Sequence, residues 1–381
     1  MATRKRLLIL GYELPPIGGG TGHALAGLLR AWPAGSDWNI ELWTASPPPP
    51  HNPVSLPGCT IRTFNCLKKD LHFWRSSESA LLLWKTWRKT LGDTPFPDAV
   101  LVWGGWPLGV LLLSSLGQVP SVLALRGSDV PGFNPRTSGP FWSGLCRRVW
   151  DRAGCLTANS LGLAQLARKT ARGRRIEIIP NGVDPRYLDI PLERPDPGAS
   201  GQPFRILCVS RLIRRKRVEW LVEALAQIHP EIRRDIRLQI VGDGPEKTRL
   251  DTMVQELGLA PQITFSGVVP LENMPGLYGG THLFVQPSQA EGMSNALLEA
   301  MASGLPCLVA ESTGFADLDE TLAGVDSPRS LANQILYLYE HPANRLKMGE
   351  QARQAASGYS WSDVACAYMR LLERVAESPL D

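Results

Sequence analysis

Apolar residues occur in two textures along this chain. Short unbroken runs, such as Leu7–Leu10 in "KRLLILGYE" and Ala99–Trp103 in "AVLVW", have the length of strands buried on both faces. Between them, apolar side chains recur three and four residues apart, as on helices with one buried face. The first run leads into the glycine-rich "LPPIGGGTG" and a helical spacing from His23 to Trp32. Strand, tight turn and helix open an α/β unit. The next segments, "AVLVW", "WPLGVLLLSSLG" and "PSVLAL", read as strand, helix and strand, and "GCLTANS" and "RIEIIPNGVD" continue the alternation.

From Pro185 to Pro203 the chain is rich in Pro and Asp, without apolar periodicity, and reads as a linker. The pattern then restarts. "FRILCVSRL" is a strand, Val218–Ile228 a helix, "IRLQIVGDGP" a strand and Glu246–Leu257 a helix. "ITFSG", "THLFVQPS" and "LPCLVA" are further strands, with a helix inside "EGMSNALLEAMA". Repeated β-α-β with buried, non-alternating strands predicts parallel sheets, one on each side of the linker. The expected division is residues 1–184, 185–358 and a last helix in 359–381.

Composition narrows this little. The 381 residues suffice for two domains, and 44% hydrophobic with 20% charged residues is ordinary for a globular protein. The seven cysteines are scattered without C-x-x-C spacing, so they read as reduced thiols of a cytoplasmic protein. Ala99–Leu125 holds no charged residue, but Gly104, Gly105, Pro107, Gly117 and Pro120 cut it into pieces too short to span a bilayer. The apolar run after the basic start, Leu7–Leu10, is too short for a secretion signal.

Charge is more telling. Through Asp184 there are 21 Lys and Arg against 11 Asp and Glu, and from Pro185 onward 19 against 25, so a basic half precedes an acidic one. The basic half also holds ten of the twelve tryptophans. The two halves therefore face different partners.

Candidate chemistry concentrates in "QAEGMSNALLEAMASGLP", Gln289–Pro306. Ser294 and Asn295 are capping residue types ahead of a strongly helical run, so the first turn and the positive end of its dipole favour an anion. Gly292 lets backbone come close. Glu291 precedes the helix and Glu299 lies about one turn into it, so hydroxyl-accepting carboxylates flank an anion pocket. A ligand with phosphate in the middle and hydroxyls at both ends fits, which is the layout of a nucleotide-sugar. "SRLIRRKRVEW" follows a strand and offers Arg211, Arg214, Arg215, Lys216 and Arg217. Arg211 and Lys216 are the expected diphosphate cations, and the other three read as a solvated basic turn. Gly242, in "VGDGP", marks another strand end.

Together "PNGVD", "SRLIRRK", "VGDGP" and "EGMSNALLEA" stand in the order and spacing of the retaining glycosyltransferases of family 4, which this chain resembles over nearly its whole length. The resemblance implies a GT-B fold: two Rossmann-like parallel-sheet domains facing across a cleft, with "YSWSDVACAYMRLLERV" as the C-terminal helix crossing back to the first domain. It implies that Glu291 holds donor-sugar hydroxyls and Glu299 the ribose hydroxyls, and that Arg211 and Lys216 neutralise the leaving diphosphate. Backbone at Met293, Ser294 and Asn295 would contact phosphates and sugar, and the Gly267–Pro270 loop with Val268 would meet the base. The turn Gly18, Gly19 and Gly20 would close on the diphosphate.

Two departures stand out. A histidine usual after the central strand of the first domain is replaced by Arg126 in "LALRGSDVPG", leaving Arg126 or Asp129 to position the reacting sugar; Asp129 reads equally well as a turn residue. A loop usually of "GGxPE" type reads "TGFADLDE". The "DLD" within it is taken as a surface turn, and neither a metal nor any cofactor beyond the nucleotide-sugar is expected. Preorganised cations and a helix dipole can stabilise the leaving charge. The resemblance implies retention through same-face attack on a glycan or glycolipid hydroxyl, in surface polysaccharide or lipopolysaccharide assembly. A nucleotide-sugar epimerase or a silent nucleotide-sugar-binding scaffold would present a similar donor site.

The stretch Lys68–Asp93 interleaves basic residues with Phe73, Trp74, Trp84 and Trp87. It reads either as a basic helix lying peripherally on an anionic membrane, beside a lipid-linked acceptor, or as a domain helix that buries its tryptophans. No recognition motif suggests a nucleic-acid partner.

Overall fold

The structure is a computed structural model that describes residues 4–92, 96–134, 137–194, 197, 201–311 and 322–377. In chain order, β1 (Lys5–Gly11), α1 (Gly20–Arg30), β2 (Trp38–Ala45), β3 (Cys59–Phe64), α2 (Ser76–Thr90) and β4 (Ala99–Trp103) come first. Two 3₁₀ segments, Leu108–Leu113 and Ser115–Gln118, lead to β5 (Ser121–Leu125), α3 (Pro140–Arg152), β6 (Cys155–Ala158), α4 (Leu161–Arg168) and β7 (Ile176–Ile178). Then follow β8 (Phe204–Val209), α5 (Glu219–Gln227), α6 (Pro230–Arg233), β9 (Ile236–Val241), α7 (Lys247–Glu256), β10 (Ile263–Gly267), α8 (Met274–Gly279) and β11 (Leu283–Gln286). The chain ends with α9 (Asn295–Ala302), β12 (Cys307–Ala310), β13 (Ala323–Val325), α10 (Pro328–Glu340), α11 (Pro342–Ala356) and α12 (Trp361–Glu377).

Two compact units result: Met1–Gly182 with Trp361–Asp381, and Val183–Ser360. The division at Gly182 falls two residues ahead of the Asp184 boundary read from the sequence. Val183 donates its amide to Tyr359 at 2.8 Å, pairing the start of the second unit with its end.

In the first unit seven parallel strands run in the order β3-β2-β1-β4-β5-β6-β7. The order reverses between β1 and β4, where open α/β sheets leave a crevice at the strand ends. Strands β4 and β5 are buried at every residue, as their uninterrupted apolar runs require. Helix α12 belongs to this unit because Val364, Ala365, Tyr368, Leu371 and Leu372 make one apolar stripe against α1, β4 and β5. The Tyr368 ring meets Trp103 at 5.5 Å.

In the second unit six parallel strands run β10-β9-β8-β11-β12-β13, reversing between β8 and β11. Residues 206 and 207 pair with 283 and 284, so segments about 75 residues apart leave the sheet side by side.

Three sequence readings change. "WPLGVLLLSSLG" forms 3₁₀ turns where an α-helix was expected, since glycines and the Pro107 entry leave no long helical run. The helix read in Lys68–Asp93 begins only at Ser76, because Glu78 accepts hydrogen bonds from the amides of Arg75 (3.0 Å) and Lys69 (3.1 Å), closing the turn ahead of it. Lys68 and Trp74 lie before the helix: Lys68 is buried on Glu78, and the Trp74 indole donates to Glu13 at 3.1 Å. The Pro185–Pro203 linker starts with a 3₁₀ turn, Pro185–Tyr187, whose Tyr187 is buried in the second unit's core.

Candidate functional site

In the second unit the site grows from three strand ends. After β9, Gly242 donates its amide to Gly267 O at 2.7 Å, and its φ of +125° with a Cβ position 2.0 Å from Ser210 O leaves room for no other residue. Ser210 and Leu212 donate in turn to Val241 O and Asp243 O at 2.9 Å each. The loops after β8, β9 and β10 are thus laced together, with Val268 on the last of them 56% exposed.

After β8 the segment Arg214–Lys216 is a 3₁₀ turn that Arg217 ends in left-handed geometry, φ +49°. Three residues per turn send successive side chains in three directions. Arg214 points to solvent, 89% exposed beside Glu246. Arg215, read from the sequence as solvated, instead turns inward: its guanidinium donates to Ala290 O at 3.1 Å and its carbonyl accepts from the Gln289 amide at 2.8 Å. Arg217 stacks on Trp220, 4.7 Å from the ring centre. Lys216 forms a buried ion pair with Glu291, their side chains 11% and 9% exposed. Arg211 is exposed, and its guanidinium has no hydrogen-bond or ion-pair partner among the described residues.

Glu291 is the centre of this arrangement. Gln286, the last residue of β11, donates to it at 2.7 Å and accepts from Ser294 Oγ at 2.9 Å. Ser294 also caps α9, its hydroxyl accepting from Leu297 N at 3.3 Å. Burial pulls the Glu291 carboxyl upward, but Lys216 and then Arg215 outweigh it and hold the carboxyl below its ordinary value. Burial lowers the Lys216 ammonium, with Glu291 opposing and Arg215 and Arg211 adding to the fall. One carboxylate therefore sits among three cations, an excess of positive charge beside a helix N-terminus. That excess is complementary to a multiply charged anion. Gly292 and Met293 are buried in the turn between, and Asn295 opens the helix.

Glu299, one turn along α9, has different surroundings. It accepts from Tyr278 Oη at 3.0 Å, and Tyr187 meets the Tyr278 ring edge-on at 5.5 Å. Burial, opposed by Tyr278 and Arg186, raises its carboxyl to about 7. Two carboxyls eight residues apart are thus pushed in opposite directions, so at neutral pH Glu291 is an ion and Glu299 is divided between its two forms.

The remaining sequence-derived residues lie in the first unit. Gly18 has φ +89°, and a Cβ there would fall 2.5 Å from the Glu13 carboxylate. The carbonyls of Gly18 and Gly19 accept from the imidazoles of His72 (2.8 Å) and His23 (2.9 Å), fixing the turn before Gly20 opens α1. Arg126 lies over Trp103 at 4.1 Å and donates to Asn181. The Asp129 carboxylate accepts from the amides of Gly105 (2.7 Å), Gly127 (2.8 Å) and Arg126 (3.0 Å), which makes it an anchor for the loops after β4 and β5. Beside these loops Trp106, Asp129, Trp142 and Cys146 line a small, mainly apolar hollow.

Sequence reasoning missed Gln286, Tyr278, Tyr187 and the inward turn of Arg215. Of these only Gln286 left a trace, as a polar residue ending an apolar strand in "LFVQPS". The "TGFADLDE" loop, with its "DLD", lies outside the described residues. Among the described residues no group of three or more His, Cys, Asp or Glu side chains is gathered as a metal site requires. No helix among them is long and apolar enough to cross a membrane, and all seven cysteines are free thiols.

Two sequence profiles match nearly end to end: one described as Glycosyltransferase Family 4 over residues 18–187, and one described as Glycosyl transferases group 1 over 189–355. A GDP-mannose-dependent alpha-(1-6)-phosphatidylinositol monomannoside mannosyltransferase of Mycobacterium tuberculosis is 30% identical over 57% of this chain and 59% of its own. An N-acetyl-alpha-D-glucosaminyl L-malate synthase of Bacillus anthracis is 26% identical over 62% and 63%. The chain thus matches about three-fifths of the length of these relatives. Among solved structures, a sucrose-phosphate synthase from Thermosynechococcus elongatus superposes with a TM-score of 0.82 at 22% identity, covering 98% of this chain and 99% of that one. The Anabaena protein HepE, solved with UDP and glucose, superposes at 0.74 with 19% identity over 97% and 100%. At these identities the likeness is one of fold.

Proposed function

Because the chain belongs to the family 4 glycosyltransferases, with two parallel-sheet units of the GT-B kind, we propose that it moves a hexose from a nucleotide-sugar to a hydroxyl of a glycan or glycolipid. The observation that carries this reading is the cationic excess at the β8/β11 switch: Lys216, Arg215 and Arg211 around the single carboxylate of Glu291, at the N-terminus of α9.

In this reading the nucleoside diphosphate lies against the α9 amides. Lys216 and Arg211 take up the charge that builds on the leaving diphosphate as the sugar–phosphate bond breaks. Glu291, already ionised, accepts hydrogen bonds from sugar hydroxyls, and Gln286 and Lys216 keep it aimed. Glu299, poised near neutrality beside Tyr278, accepts from the ribose hydroxyls. Val268 and its loop lie against the base. Since fixed cations and a helix terminus supply the positive charge, the reaction needs no metal. We include in the proposal retention, by attack on the face the leaving group vacates, and a role in surface polysaccharide or lipopolysaccharide assembly. The acceptor is assigned to the first unit, whose Trp-lined hollow opens beside Asp129. The work is placed in the cytoplasm, which keeps seven free thiols reduced.

The test is a melting series of the whole protein with UDP, GDP, ADP and their sugars. A ligand at about a hundred times its dissociation constant adds about 2.7 kcal/mol. One nucleotide is expected to raise the melting temperature, Arg211→Ala and Lys216→Met are expected to lose that shift, and the matching sugar should be transferred equally well with a chelator present. If no nucleotide stabilises the protein and none of the nucleotide-sugars is consumed, the proposal fails.

A further inference from the structure

Helix α2 is built inside out. Its buried positions are Glu78, Ser79, Leu82, Thr86 and Thr90, four of the five polar. They are satisfied locally: Glu78 by Lys68 and backbone amides, and the Thr86 and Thr90 hydroxyls by donating to Leu82 O (2.8 Å) and Trp87 O (2.6 Å). The outer face carries Trp84, Trp87 and Leu91, exposed by 47%, 42% and 65%. With Arg88 these positions step by three, one and three, which makes a single stripe down the helix. The Arg88 guanidinium lies over the Trp84 ring at 5.0 Å, keeping charge and aromatic surface together at the solvent side.

The stripe is not isolated. The 3₁₀ segment Leu108–Leu113 packs against both α2 and α3, with Leu113 44% exposed. Helix α3 carries Phe141 in its first turn at 76% exposure, the most exposed large apolar residue described. Arg147, Arg148 and Arg152 are exposed along the rest of α3. The one exposed carboxylate on the two helices is Asp151, 4.0 Å from Arg147. Helices α1 and α12 pack with each other and share a different core cluster, so this side is not needed to cover them.

Burying the polar face and exposing the apolar one brings no folding benefit; apolar surface held in water this way marks a partner. The charge decides which. A second copy of this side would set arginines against arginines, whereas an anionic lipid surface accepts tryptophan and phenylalanine at headgroup depth and arginine at its phosphates. We infer that the α2–α3 side of the first unit docks peripherally on an anionic bilayer. This deepens the proposed function in one respect: the hydroxyl acceptor is then carried on a lipid and presented at that surface.

The test uses the whole chain with vesicles of phosphatidylglycerol and phosphatidylcholine, and of phosphatidylcholine alone, in cosedimentation at low and high salt. Binding to the anionic vesicles at low salt, released by salt, is expected. Trp84→Ser with Trp87→Ser is expected to weaken it about tenfold or more, and so, separately, is Arg148→Glu with Arg152→Glu. All four residues are exposed, so the variants should melt as the parent does and respond to nucleotide as it does. Absence of binding to anionic vesicles, equal binding by the variants, or a loss of self-association in their place on sedimentation would each overturn the inference. None of these outcomes touches the donor site, whose nucleotide response is read without vesicles.

Discussion

Replacing Glu299 by glutamine should make the ligand-free protein more stable at alkaline pH while impairing its use of nucleotide. Burial raises the Glu299 carboxyl from an ordinary 4.5 to about 7, so the folded state holds this proton more tightly than the unfolded chain does. An acid shifted upward stabilises fully below its unfolded value. That contribution is lost as pH rises through the folded value. The window is therefore about pH 4.5 to 7, and at about 1.4 kcal/mol per pH unit the loss amounts to about 3 kcal/mol. Glutamine keeps an acceptor for the Tyr278 hydroxyl but cannot ionise. At pH 5 the variant and parent should melt within a few degrees of each other. At pH 8 the variant should melt higher by about 6–12 °C, taking about 2–4 °C per kcal/mol for a unit of this size. Comparing the two proteins across pH removes every titration they share. Parallel melting curves from pH 5 to 8 would refute the reasoning, because Glu299 would then be as easily ionised folded as unfolded.

Two further substitutions probe the scaffold. Lys216→Met should cost about 3–5 kcal/mol by leaving Glu291 buried without its partner. Adding Glu291→Gln should recover most of that loss in urea denaturation without restoring transfer, and no recovery would mean that the pair is not what holds the turn. Gly242→Ala should cost about 2 kcal/mol or more, since φ +125° and the Ser210 carbonyl 2.0 Å from the new Cβ both oppose it; an unchanged melting temperature would contradict the packing of the three strand ends.

The strands were the easiest part of the fold to read, because a strand buried on both faces has to be an unbroken apolar run. "AVLVW" became β4, buried at every position. Strands β2 and β3 were not read. β3 alternates and ends half-exposed at the sheet edge, and the apolar residues of β2 are interrupted by Asn39 and Glu41. The helix expected in "WPLGVLLLSSLG" was misjudged because its leucines are dense enough to satisfy any period, whereas the chain between β4 and β5 is spent in two short 3₁₀ turns.

For the site, both motifs were visible and their meeting was not. "SRLIRRK" and "EGMSNALLEA" could each be recognised as a loop after a strand, but what joins Lys216 to Glu291 is the pairing of β8 with β11, a consequence of strand order that neither motif encodes. The same holds for Tyr187 and Tyr278, which converge on Glu299 from a supposed linker and from α8, a helix packed in the same core cluster as α9. Within the basic run the division of labour depends on backbone geometry. A helical turn would place Arg214 and Arg217 near one face and leave the choice among the others open. The 3₁₀ turn, ended by left-handed Arg217, settles it: Arg214 faces water, Arg215 braces the Gln289–Ala290 backbone, and Lys216 reaches Glu291. Inserting one residue into this turn would therefore exchange those roles and disarm the site while every charge remained in the sequence.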